Sequence, residues 1–61
     1  MSYYDKLTKL LGREPLKSGL ETHLKYHPQL KTLEGAAKDL FQLEIFSFPK
    51  QKAKAKKLGL I

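Results

Sequence analysis

The chain has 61 residues, 12 Lys and Arg against 6 Asp and Glu, a formal charge of +6 with neutral histidines, and no cysteine. That length allows one domain at most, with a marginal core. There is no thiolate for a disulfide or a metal site, and no apolar run approaches the ~18–20 residues of a membrane span. The positive balance argues against an acidic DNA mimic and points to something negative: nucleic acid, an anionic membrane surface or an acidic protein face.

The first predicted helix runs from about Ser2 to Leu11. Ser2 can cap it, with Asp5 three residues on as in a capping box. Tyr3, Leu7, Leu10 and Leu11 share one face, Lys6 and Lys9 turn to water, and Gly12 is a natural stop. Residues 12–19 read as a connector. Ser18 and Glu21 form a second capping-box pattern for a short helix from about Gly19 to Tyr26, with Leu20 and Leu24 on one face. Pro28 ends it and can open the next helix. There Leu30, Leu33, Ala37, Leu40 and Phe41 recur at helical spacing until the pattern fades after Leu43. Gly35 within that stretch costs up to ~1 kcal/mol relative to alanine, which weakens the case for an unbroken helix.

Glu44-Ile45-Phe46-Ser47-Phe48-Pro49 carries three close apolar side chains with no helical stripe to explain them, and Pro49 is expected to stop any helix. Five lysines follow in the eight residues 50–57. Lys/Ala sequences form helices readily, but like charges four apart oppose this one, so a basic flexible C-terminal tail is expected. Only Thr8, Thr22, Thr32, Ile45 and Ile61 are β-branched, too few for a sheet. The expectation is an all-α chain of two to three short helices, partly disordered in isolation. A small helical region spans 1–43, and an apolar anchor segment with a lysine-rich tail spans 44–61.

The start Met1-Ser2-Tyr3-Tyr4-Asp5-Lys6 has neither the basic opening nor the apolar stretch of a signal peptide, so a cytoplasmic chain is expected. Eleven lysines beside a single arginine, with no Asn, Cys, Trp or Val, fit a hyperthermophile.

Little in the residues points to catalysis. His23 and His27 lie four apart, but a zinc site needs a third ligand and usually a carboxylate behind it. No nucleophile elbow and no Gly-rich phosphate loop is present. No enzyme activity, metal or cofactor is expected. Lys50, Lys52, Lys54, Lys56 and Lys57 suit an electrostatic contact without sequence reading, such as non-specific contact with DNA. Thr32–Phe41 looks somewhat like the first helix of a helix-turn-helix, which makes a small basic DNA-binding protein the alternative reading. The recognition helix would then begin near Gln42, where Ile45, Phe46, Phe48 and Pro49 suit a DNA groove poorly.

Gln42-Leu43-Glu44-Ile45-Phe46-Ser47-Phe48-Pro49 resembles the PCNA-interacting peptide of archaeal and eukaryotic sliding-clamp partners. Gln42, Ile45 and Phe48 match that pattern, and Pro49 stands where a second aromatic belongs. The segment also resembles the bacterial clamp-binding pentapeptide through Gln42, Leu43, Ile45 and Phe46. With the hyperthermophile-like composition, the chain resembles the small PCNA-inhibiting proteins of the Thermococcales, a likeness that rests on residues 42–49 alone. It implies a small protein that binds a DNA sliding clamp through a short apolar peptide and a helix, competes with replication and repair partners, and inhibits clamp-dependent activity. Ile45 and Phe48 would be the anchors on one turn of 3₁₀ helix, Gln42 the polar pin, and Leu43 and Phe46 supporting or alternative anchors.

Overall fold

Ser2 opens the first helix in the manner its position suggests. In the computed structural model, which describes residues 2–61, the Ser2 hydroxyl accepts the Asp5 N–H at 3.1 Å. Helix α1 (Tyr3–Leu11) then runs to Gly12, whose φ of 76° lies in the left-handed region where glycine is unstrained and whose N–H returns to the Thr8 carbonyl. Leu7 and Leu10 are buried, and Tyr3 and Leu11 pack beside them. Lys9 is exposed, as the spacing predicts. Lys6 is half-buried instead, with its ammonium 4.7 Å from the centre of the Tyr3 ring, where a cation is attracted to the aromatic face.

Helix α2 (Lys17–Tyr26) starts two residues before the expected Gly19. The Leu20 N–H closes on the Leu16 carbonyl at 3.1 Å, so Leu16 occupies the cap position and Ser18 lies inside the first turn without a capping bond. Leu20 is buried and Leu24 half-buried. Pro28 does end α2, but it opens only a 3₁₀ turn, Pro28–Leu30. Lys31 follows at φ 67°, and the Thr32 N–H bonds to the Leu30 carbonyl at 2.7 Å, which makes a tight γ-turn. The single helix expected from residue 28 is therefore broken.

Helix α3 (Leu33–Ser47) restarts behind the Thr32 cap, whose hydroxyl accepts the Gly35 N–H at 3.0 Å. Gly35 is not a weak point in the middle of a helix. It sits in the first turn against the γ-turn, and a Cβ there would come within 2.4 Å of the Leu30 carbonyl oxygen. Glu34 serves two helices at once. It lies in the first turn of α3, and its carboxylate accepts the backbone N–H groups of Tyr3 and Tyr4 at the start of α1. A negative charge is favourable at both ends.

Helix α3 is the hub of the fold: α1, α2 and the last helix all pack on it. It presents Ala36, Ala37, Phe41 and Ile45 inward against Leu7, Leu10 and Leu20. Ala36 and Ala37 let neighbouring helices approach closely, and Phe41 supplies bulk. The Phe41 ring stands 6.0 Å from that of Tyr3 in a tilted pair. The helix runs without a break across residue 43, where the apolar pattern fades.

Pro49 stops α3 as expected: the helix ends at Ser47, and Phe48 before the proline is extended. The same proline also begins helix α4 (Pro49–Lys57), with Phe48 as the single residue between α3 and α4. Proline suits the first helical position because its missing N–H has no partner there. Three of the lysines lie in the last turn, where positive charge is favoured. The lysine-rich segment, expected as a flexible tail, is thus a helix seated on the core by buried Ala55, and beyond it Leu60 is buried too. The all-α class stands. No helix among the described residues is long and apolar enough to cross a membrane.

Candidate partner-binding surface

The clamp-like segment falls on the last turns of α3 and on Phe48. Helical geometry sorts its side chains, because residues four apart lie one above the other. Ile45 stands one turn beyond Phe41 and is buried with it. The expected pairing of Ile45 and Phe48 on one turn of 3₁₀ helix is therefore not present in this conformation. The physical reason is the closure of α3: the Phe48 N–H bonds to the Glu44 carbonyl at 3.1 Å, which holds residues 44–47 in α geometry.

The other apolar members of the segment face water. Leu43 is 50% exposed, Phe46 74% and Phe48 55%. Leu43 and Phe46 are three apart and neighbours on the outer face. Shallow grooves flank this ridge. On one side Leu43, Ser47 and Phe48 meet Leu7, Leu11 and Pro15 around about 350 Å³. On the other, half-buried Gln42 and exposed Phe46 border a space of about 240 Å³ with Tyr3, Lys6 and Leu60.

The five lysines of α4 are all exposed. The helix turns Gln51 and Ala55 toward the core. At about 100° per residue, Lys50, Lys54 and Lys57 then fall along one flank and Lys52 and Lys56 along the other. No acidic residue lies in α4. The exposed Leu43, Phe46 and Phe48 thus stand just before a helix with two rows of positive charge. Such a surface can bind an apolar groove bordered by negative charge.

The turn that the alternative helix-turn-helix reading would need near Gln42 is absent among the described residues, since α3 continues through that position to Ser47. His23 and His27 lie near the end of α2, as expected. His23 is half-buried and His27 exposed, with ring centres 4.5 Å apart. The sequence reading missed the partner of His23. Its Nε2 donates to the Asp39 carboxylate at 2.7 Å, tying α2 to α3. Sixteen residues separate the two, and no local spacing signals such a link. No group of three or more His, Asp or Glu side chains among the described residues is placed to hold a metal ion.

Comparison with protein-family models, with curated proteins and with solved structures finds no match to this chain.

Proposed function

We propose that this chain is a non-catalytic ligand of a DNA sliding clamp of the archaeal, PCNA-like type. It occupies the groove that replication and repair partners use and so inhibits clamp-dependent activity. The observation that carries the reading is the exposure of Leu43, Phe46 and Phe48 within a stretch of six residues. Large apolar side chains left in water at one place mark an interaction surface, and burying each is worth ~1.5–3 kcal/mol before ordering costs. In the folded state the anchors are Leu43, Phe46 and Phe48, with Gln42 beside them. Ile45 supports them from the core rather than entering the partner. Lys50, Lys52, Lys54, Lys56 and Lys57 add attraction to an acidic clamp rim or to the DNA that the clamp encircles.

The test is isothermal titration of the full chain into archaeal and bacterial clamps side by side. Phe46→Ala with Phe48→Ala is expected to weaken binding more than tenfold, as truncation of buried aromatic anchors does, while circular dichroism stays unchanged. Failure to bind either clamp, or unchanged affinity in the double variant, refutes the proposal. The alternative, direct binding of duplex DNA, draws support from the lysine rows of α4. It predicts a gel shift without any clamp that weakens steeply with salt.

A further inference from the structure

The chain holds two histidines and no cysteine, and the fold brings both imidazoles to one end of α2. The turn between them is closed. The His27 N–H bonds to the His23 carbonyl at 3.0 Å, and Pro28 fixes the chain just beyond. The four-residue spacing therefore survives to the last residue before the proline. Both rings stand on one side of the helix, with their centres 4.5 Å apart.

That separation suits a metal ion. An ion about 2.0 Å from an imidazole nitrogen lies about 3.2 Å from the ring centre. Two such ligands at a right angle set their ring centres about 4.5 Å apart, whereas a tetrahedral angle needs about 5 Å. The observed pair matches the right angle of tetragonal copper(II).

The surroundings prepare the nitrogens for this. His23 Nε2 donates to the Asp39 carboxylate at 2.7 Å, which fixes the tautomer and leaves the Nδ1 lone pair free. A carboxylate in this position is what ordinarily orients a metal-binding histidine. Neither His23 Nδ1 nor the His27 ring has a hydrogen-bond partner among the described residues. The pair also lies at the C-terminal end of α2, where the carbonyls of the last turn favour positive charge. Arg13 lines the same open cleft, and the Asp39 charge behind His23 offsets it.

We infer that His23 Nδ1 and the His27 imidazole chelate a copper(II) ion. No third His, Asp or Glu among the described residues completes the set, so water takes the remaining positions. Two protein ligands are too few for a structural zinc site, which is closed by four, and copper(II) stands above nickel(II) and zinc(II) in affinity for nitrogen ligands. Asp39 is a positioning residue. The inference uses no residue of the clamp-like segment or of α4, so it stands or falls apart from the clamp reading.

The full chain is titrated with Cu²⁺ alone and followed by calorimetry, electron paramagnetic resonance and, on the ¹⁵N-labelled chain, amide broadening. One ion per chain is expected, with hyperfine coupling to two imidazole nitrogens and broadening centred on His23 and His27. His27→Ala removes an exposed ligand and leaves the His23–Asp39 link in place. It is expected to weaken binding at least tenfold with circular dichroism unchanged. Asp39→Asn keeps both ligands and is expected to weaken binding about tenfold and to alter the hyperfine spectrum. Zn²⁺ should bind more weakly than Cu²⁺. A single nitrogen in the spectrum, broadening confined to the start of the chain, wild-type affinity in folded His27→Ala, or no saturable binding at millimolar Cu²⁺ overturns the inference.

Discussion

Gly35→Ala offers a direct test of the packing at the start of α3, because two physical effects predict opposite signs. Helix propensity alone favours the alanine by ~0.5–1 kcal/mol. The surroundings oppose it: the new Cβ would stand 2.4 Å from the Leu30 carbonyl oxygen and 3.2 Å from its carbon. Both are backbone atoms of the γ-turn, whose carbonyl already accepts the Thr32 N–H. They can retreat only by moving the 3₁₀ turn or the helix start. Overpacking of this kind costs ~1–3 kcal/mol, so the net expectation is a loss of about 1–2 kcal/mol. For a domain of this size that lowers the melting temperature by about 4–16 °C. Gly19→Ala is the control. It gains the same propensity and meets nothing closer than 3.9 Å, so it is expected to raise the melting temperature by a few degrees. Thermal unfolding of both variants by circular dichroism decides the matter. A Gly35→Ala chain at least as stable as wild type, or two variants shifting the same way, refutes the reasoning.

Ile45→Ala and Phe46→Ala, one residue apart, are expected to behave oppositely. The first removes a buried side chain and costs ~2–4 kcal/mol in urea unfolding. The second removes an exposed one and stays within about 0.5 kcal/mol. Equal losses would place Phe46 in the core and remove the apolar ridge. Glu34→Ala uncouples the start of α1 from α3 and is expected to cost ~0.5–1 kcal/mol. Hydrogen exchange should then rise first at Tyr3 and Tyr4, and a uniform rise along the chain would count against a local capping role.

The elements legible in the sequence are those set by contacts within one turn. Ser2 and Gly12 bound α1 because a cap and a left-handed residue act on backbone groups three or four residues away. Pro28 ended α2 for an equally local reason. The break at Lys31 left a trace only in Gly35, whose need is plain once the Leu30 carbonyl lies against it. The clamp-like segment was visible as an apolar cluster, yet which of its side chains face outward depended on whether residues 44–47 continue α3. They do, so Ile45 turned inward and Leu43 and Phe46 turned out.

The residues by themselves determined the helical class, the basic charge and the bounds of the first helix, because each is a property of composition or of neighbours along the chain. Tertiary structure decided the rest: the seating of the lysine helix through Ala55, the His23–Asp39 link and the inward turn of Ile45. A helix of nine or ten residues is marginal alone in water, so its position and outward face follow from what it packs against, and those partners lie far away in the chain.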